Sequence, residues 1–177
     1  VEEGVRIHAF GLRAISPEER DFYRSGGQGG LATYVGAREL LGLEPRARVQ
    51  RVLEGLPAGP IWLSWDIDGL DSSLVPSTGT PEPGGVDWYT ACEILRELDA
   101  AGRRIVGTEL LELMPREGQH ASDFACARLA SRMLLTGLRS RERMMAVGDS
   151  QAQTARTLQG FGREHAAMAR ALKSGLA

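Results

Sequence analysis

The sequence has few cysteines and no long apolar run, and these absences exclude several classes of protein. Only Cys92 and Cys126 occur in 177 residues, and both lie in apolar stretches that read as helical. We therefore expect reduced cysteines rather than a disulfide, and no metal site built on cysteine. No apolar run is long enough to cross a bilayer, and the first residues lack a basic segment followed by an apolar core. We therefore expect a cytoplasmic protein with no membrane partner.

An excess of either charge is also absent. The 21 basic and 23 acidic side chains give a formal net charge of -2, and the basic residues form no long cluster. The sequence therefore predicts neither nucleic acid nor an anionic lipid surface as a partner. The length of 177 residues is sufficient for one domain with a substantial apolar core.

Strands and helices are predicted to alternate along residues 1–137. The predicted strands cover residues 5–10, 31–35, 60–63 and 104–113, and the predicted helices begin at Ser16, near Pro45, at Asp87 and at Asp123. This β-α-β-α order favours an α/β fold with three layers (α-β-α), in which helices cover both faces of a mostly parallel sheet.

Residues 138–177 are predicted to form a second region, which consists of a charged linker and a C-terminal helix. The linker contains the charged run Arg139–Arg143, and Gly148 precedes a helix capped by Ser150 that ends near Lys173. This helix could cover a subunit interface, or it could pack on its own domain. The sequence leaves both alternatives open.

The most informative motif is the run SWDIDGLD at residues 64–71. If the apolar residues before it form a buried strand, Asp66 and Asp68 leave that strand on one face at its carboxyl end. Ligands of open α/β sheets bind at that end. Two carboxylates this close repel each other unless a cation lies between them, and hard oxygen ligands suit Mn²⁺ or Mg²⁺ better than zinc or copper. The alternative is a pair of aspartates that only stabilises a loop.

Residues 64–85 resemble the metal-binding signature of the ureohydrolases, the arginase and agmatinase family. The two aspartates are followed by the loop TGTPEPGG at residues 78–85, as in that signature. Residues 107–115, GTELLELMP, are similar to the later strand whose glutamate binds guanidinium, and residues 10–19, FGLRAISPEE, resemble the G-L-R segment of arginases. The matches occur in family order, so the resemblance implies the C-terminal half of the ureohydrolase fold.

Two histidine-bearing motifs of that family, G-G-D-H and D-A-H-x-D, are missing from this sequence. The three histidines, His8, His120 and His165, stand in other contexts. The resemblance therefore implies a binuclear Mn²⁺ site that this chain supplies only in part, with Asp66 and Asp68 as its metal ligands. A complementary chain or a missing N-terminal half would provide the remaining ligands. The family resemblance also implies a homo- or hetero-oligomer.

The resemblance implies that Glu112 and Thr80 bind a guanidino substrate. Glu112 would pair with the guanidinium group, and the Thr80 hydroxyl would help to fix the substrate. The alternative for Glu112 is a structural ion pair with Arg13 or Arg116, because an unpaired carboxylate inside a strand would be costly.

Glu19 is the third candidate substrate-binding residue, although a structural role explains it better. Ser16 and Glu19 have the spacing of a capping box, in which the glutamate binds the backbone at the start of a helix. In arginases an aspartate of this turn reads the amino-acid head group, and Ser16 stands in its place here, which argues against arginine as the substrate. Asp71 is expected to order the turn after Asp68 through backbone hydrogen bonds.

These observations predict a manganese-dependent hydrolase that releases urea from a linear guanidino compound and needs a second chain or segment for activity. The alternatives are a non-catalytic ureohydrolase-like subunit with a structural or regulatory role, and a sensor that binds a guanidino ligand without turnover. The sequence identifies no group that would protonate the leaving amine.

Overall fold

A computed structural model describes the backbone of residues 4–27 and 29–174 and the side chains of residues 4–27, 29–148 and 150. Within these residues the chain forms four strands, five α-helices and one 3-10 turn. In chain order they are β1 (Ile7–Leu12), α1 (Pro17–Arg24), β2 (Ala32–Gly36), α2 (Ala37–Leu41), α3 (Pro45–Glu54), β3 (Ile61–Asp66), the 3-10 turn (Ile67–Gly69), α4 (Trp88–Ala100), β4 (Ile105–Leu111) and α5 (His120–Ser174).

All four strands pair in parallel, which confirms the predicted α/β fold with parallel strands. β1 pairs with β2, and β3 pairs with β4. The described strands form these two hydrogen-bonded pairs rather than one continuous ladder. Between the pairs, the ring of Phe10 on β1 meets the ring of Trp65 on β3 edge to face, with centroids 5.4 Å apart.

The alternation of side chains along β3 determines where Asp66 points. Ile61, Leu63 and Trp65 are buried, whereas the residues between them are exposed. Successive side chains of a strand point to opposite faces, so Asp66 lies on the exposed face at the carboxyl end of β3. The next residue, Ile67, is fully buried and fixes the beginning of the 3-10 turn that carries Asp68.

The apolar core lies between the β3-β4 pair and the helices that cover it. Its fully buried side chains include Val52 from α3, Ile94 and Leu98 from α4, and Leu129 and Met133 from α5. Burial of each such side chain contributes about 1.5–3 kcal/mol to folding. The core therefore fixes the position of β3, whose carboxyl end carries Asp66.

Helix α4 begins as the sequence predicts. Asp87 is its N-cap and accepts hydrogen bonds from the Thr90 amide at 2.8 Å and the Thr90 hydroxyl at 2.7 Å. The same carboxylate forms an ion pair with Arg48 of α3 at 2.9 Å. These contacts tie the two neighbouring helices together at the point where α4 begins.

The chain divides into two compact units, residues 1–140 and 141–177. The backbone of α5 is helical from His120 to Ser174, so the prediction that a separate helix begins at Ser150 is wrong, and the charged run expected to be a linker is helical. Arginine and glutamate are strong helix formers, and an isolated glycine such as Gly148 costs a helix only about 1 kcal/mol. The side chains of residues 151–177, including His165, lie outside the described part, so both alternatives for this helix, a subunit interface or packing on its own domain, stay predictions.

Both cysteines are free, as predicted. Burial raises the pKa of Cys126 to about 11, so its thiol is protonated near neutral pH. In the part of the chain that the structure describes, no helix has the length and hydropathy needed to cross a membrane.

Candidate metal and substrate site

A cleft with a volume of about 620 Å³ lies between β1 and β3. One wall consists of residues 7–14, and the other contains the end of β3 and the 3-10 turn. Asp66, Asp68 and Thr80 all line it. The structure therefore places both predicted metal ligands and one predicted substrate-binding residue in the same cleft.

Asp66 and Asp68 are electrostatically coupled. Asp66 ends β3, and Asp68 follows in the 3-10 turn. The pKa of Asp66 is raised, first because the folded chain desolvates its carboxyl group and then because the negative charges of Asp68, Glu112 and Glu109 lie nearby. Among the described side chains, none of these four acids forms an ion pair with lysine or arginine. The negative charge near Asp66 is therefore not compensated by an ion pair from the described residues, and Glu109 and Glu112 act on it from outside the cleft lining.

This set of donors fits one part of a divalent cation site. A cation bound between the carboxylates would relieve their mutual repulsion, and carboxylate oxygens suit Mn²⁺. The described residues contain no group of three or more histidine, cysteine, aspartate or glutamate side chains arranged to hold a metal ion. Asp66 and Asp68 could therefore supply two ligands, while the other ligands would have to come from elsewhere.

Thr80 has a role that the sequence did not reveal. Its hydroxyl donates a hydrogen bond to Oδ2 of Asp68 at 2.8 Å. The TGTPEPGG loop thus holds one of the two metal-ligand candidates in place. A contact between Thr80 and a substrate stays a prediction.

Asp71 orders the loop, as predicted. Its Oδ1 accepts hydrogen bonds from the amide and hydroxyl of Ser73, and its Oδ2 accepts the amides of Gly84 at 2.8 Å and Gly85 at 3.2 Å. These bonds, first of all the one from the Ser73 hydroxyl, lower the pKa of Asp71. Gly85 must be glycine, because a Cβ there would lie 2.3 Å from the carbonyl carbon of Leu70.

Glu112 departs from its predicted environment. β4 ends at Leu111, so Glu112 follows the strand, and its side chain is exposed. The premise that it is buried inside a strand is therefore wrong. Neither proposed structural partner pairs with it among the described residues, because Arg116 donates to the Thr78 carbonyl and Arg13 donates only to backbone carbonyls.

The backbone of Glu112 is strained. Its φ angle of 65° is the only positive φ among the described residues other than glycine. Such a conformation costs about 1–3 kcal/mol and is concentrated at functional sites, where surrounding contacts hold it. The strained turn brings the Glu112 charge close enough to Asp66 to raise the pKa of Asp66.

Glu19 forms the predicted capping box. Its carboxylate accepts the Ser16 amide at 2.8 Å, and its own amide donates to the Ser16 hydroxyl at 3.1 Å. Glu19 is not among the residues that line the cleft. Its contact with a substrate stays a prediction, whereas its role at the start of α1 is confirmed.

Two of the histidines lie in the described part of the chain. His8 is half-buried in β1, where its Nδ1 is 2.8 Å from the Thr33 hydroxyl, and burial is the main cause of its lowered pKa. His120 is exposed at the first turn of α5. Neither histidine contributes to a group of metal ligands in the described residues.

Sequence reasoning missed Glu109, because its position beside Asp66 depends on the register between β3 and β4. The register pairs Ser64 with Glu109 and Asp66 with Leu111. Counting back by two from Leu111 places Glu109 on the face of the sheet that carries Asp66. Sequence reasoning also missed the backbone contacts of Arg13, because three of its four acceptors lie far away in the sequence.

Comparison with known proteins identifies the family of this chain. The Arginase family model matches residues 1–136. The N(1)-aminopropylagmatine ureohydrolase of Synechocystis sp. is 30% identical over 134 residues, which are 76% of this chain and 42% of that protein. The guanidinobutyrase of Pseudomonas aeruginosa is 37% identical over 110 residues, 62% of this chain and 33% of that protein.

Solved structures show the same relationship. A hypothetical agmatinase from Burkholderia thailandensis has a TM-score of 0.60 and 26% identity, and the match covers 77% of this chain and 40% of that one. An arginase from Bacillus subtilis has a TM-score of 0.62 and 25% identity, and the match covers 72% of this chain and 43% of that one. The chain thus spans less than half the length of these relatives, and with a family model matched over residues 1–136 it belongs to the arginase family.

Proposed function

We propose that this chain supplies one half of the active site of a manganese-dependent hydrolase that releases urea from a linear guanidino compound. The observation that carries the proposal is that Asp66 and Asp68 line one cleft, with the Glu112 charge near enough to raise the pKa of Asp66 and with no ion pair to these acids from the described residues. A loop needs no such group of acids for its stability. The names of the relatives support guanidino compounds as the substrate class.

Asp66 and Asp68 would hold Mn²⁺ together with ligands from a second chain or from an N-terminal segment. When bound, the Mn²⁺ pair would supply an activated water as the nucleophile. The hydrogen bond from Thr80 to Asp68 keeps that carboxylate aimed at the cleft. Preorganisation of this kind lowers the cost of assembling the ligands.

Glu112 would bind the guanidinium group of the substrate through two parallel hydrogen bonds. This pairing would orient the planar carbon toward the water, whose oxygen forms the new bond to carbon. The bond between that carbon and the alkyl-bearing nitrogen would break, and the products would be urea and a protonated amine. The donor of that proton would belong to the missing part of the site.

A complementation experiment tests this function. The chain would be mixed with the N-terminal segment of the Synechocystis relative and Mn²⁺, and urea release would be measured with agmatine and 4-guanidinobutyrate. We expect urea from the mixture, none after Asp68→Asn, and full activity after Glu54→Gln, which changes an exposed acid of α3 away from the cleft. Urea release that persists in Asp68→Asn would contradict the proposal.

The second candidate function is a non-catalytic subunit that binds a partner chain. The incomplete ligand set of the described residues favours it. A stable complex that binds Mn²⁺ and a guanidino compound but releases no urea would support this alternative against the first.

A further inference from the structure

Arg13 joins three segments of the chain at the floor of the cleft. Its Nη1 donates to the carbonyl oxygens of Gly11 at 3.0 Å and Gly69 at 3.3 Å. Its Nη2 donates to the carbonyl oxygens of Asp68 and, at 2.9 Å, Glu82. One guanidinium group therefore contacts the end of β1, the 3-10 turn and the TGTPEPGG loop.

The acceptors of Arg13 are unusual for an arginine in an acidic cleft. All four are backbone carbonyls, and Arg13 has no carboxylate partner among the described residues. The planar guanidinium presents several N–H groups in fixed directions, which lets it serve four carbonyls at once. A lysine ammonium has its three donors on one nitrogen and cannot span the same positions.

The bond to Asp68 links this arrangement to the candidate metal ligands. Arg13 holds the main chain of Asp68, while Thr80 holds its carboxylate, and Glu82 belongs to the same loop as Thr80. The Gly69 carbonyl that accepts Arg13 also accepts the Val86 amide at 2.9 Å. The turn and the loop are thereby fixed relative to each other.

We propose that Arg13 is a positioning residue, which couples the 3-10 turn to the TGTPEPGG loop and so holds the Asp68 carboxylate in the orientation for metal binding. The metal part of this inference rests on the proposed function. The coupling of turn and loop does not, because it depends only on contacts within this chain.

Hydrogen exchange of individual amides tests the coupling in the full chain. In Arg13→Lys we expect the Leu70 and Val86 amides, which bond to the Ile67 and Gly69 carbonyls, to exchange at least about tenfold faster, since bonds from a charged donor are lost. Amides in the middle of α4 should keep their rates, which shows that the variant is folded. Unchanged rates at Leu70 and Val86 would overturn the proposal.

Arg103→Lys is the matched control. Arg103 is also half-buried and also donates to a backbone carbonyl, that of Pro57, but this contact lies near the amino end of β3. We expect no change at Leu70 and Val86 in this variant. Equally faster amide exchange at Leu70 and Val86 in both variants would mean that loss of any half-buried arginine has this effect, which would overturn the proposal.

Mn²⁺ affinity separates the positioning role from a purely structural one. In the complemented mixture, Arg13→Lys should weaken Mn²⁺ binding about tenfold, as expected when a residue that orients a ligand is altered, whereas Arg103→Lys should not. Faster exchange with unchanged Mn²⁺ affinity would refute the positioning role. If the wild-type mixture binds no Mn²⁺, the proposed function fails, while the exchange rates still decide whether Arg13 couples turn and loop.

Discussion

Replacement of Glu112 by glycine should stabilise the protein and at the same time remove its proposed substrate contact. Glu112 has a φ of 65°, and a left-handed backbone costs a residue with a Cβ about 1–2 kcal/mol. The side chain is exposed, so its removal forfeits little packing.

The size of the effect follows from two opposing contributions. Glycine relieves the strain, but it also raises the entropy of the unfolded chain, which offsets about 0.4–1 kcal/mol. The net gain in the free energy of unfolding should therefore lie between about 0 and 1.6 kcal/mol, with a middle value of about 0.8 kcal/mol. For a chain of this size the middle value corresponds to a rise in Tm of roughly 2–3 °C.

Urea unfolding and thermal melts of the full chain would measure this change beside two control variants. Glu112→Gln keeps the Cβ and the strain but removes the charge, so it isolates the repulsion between Glu112 and Asp66. Glu109→Gly places glycine inside β4, where no positive φ exists, and should destabilise by about 0.5–1 kcal/mol.

A Glu112→Gly variant that is less stable than Glu112→Gln would refute this reasoning, because it would show that the backbone at residue 112 is not strained. Stabilisation by Glu112→Gln to the same extent as by Glu112→Gly would also refute it, since the gain would then come from charge alone.

Three further predictions concern the same unit of the chain. Asp66→Asn should raise the free energy of unfolding of the metal-free chain by up to about 1 kcal/mol, because it removes repulsion between partly exposed charges. The gain should be larger at low salt, so urea unfolding at two salt concentrations measures it. Destabilisation by Asp66→Asn would contradict this prediction. Leu129→Ala should cost about 2–5 kcal/mol because the side chain is fully buried, and a loss below 1 kcal/mol in chemical denaturation would show a loosely packed core. Asp87→Ala should cost about 1–2 kcal/mol through loss of the α4 cap. Burial alone would raise the pKa of Asp87. The hydrogen bonds from Thr90 and the charge of Arg48 together outweigh this effect, so the pKa of Asp87 is lowered. The stabilisation by ionised Asp87 is then complete above the usual aspartate pKa and is lost as the pH falls through the lowered value. The stability difference between wild type and Asp87→Ala should therefore shrink on acidification, and a difference that grows would contradict the assignment.

Local patterns in the sequence were sufficient to predict the features that depend on neighbouring residues. The apolar run before Asp66 predicted a strand with Asp66 at its carboxyl end, and the spacing of Ser16 and Glu19 predicted the capping box. The glycines and Asp71 predicted an ordered loop. The capping-box groups are 3 residues apart, and the groups that Asp71 joins are at most 14 residues apart within one continuous motif.

Features that depend on distant contacts could not be predicted in this way. Asp68 and Glu82 are 55 and 69 residues away from Arg13, so no local pattern marks their carbonyls as its acceptors. The conformation of Glu112 is imposed by the end of the β4 ladder rather than by its own preference. The helical path of residues 138–150 has no distinctive local pattern, because a charged run followed by Gly148 is typical of a linker and yet compatible with a helix.

The most direct test of the central claim is the Mn²⁺ affinity of the wild-type chain and of the double variant Asp66→Asn/Asp68→Asn, measured by electron paramagnetic resonance. Each would be titrated alone and with the N-terminal segment of the Synechocystis relative. Our account predicts weak binding by the wild-type chain alone, much tighter binding by the mixture, and loss of both in the double variant. Mn²⁺ bound by the double variant as tightly as by the wild type would contradict it.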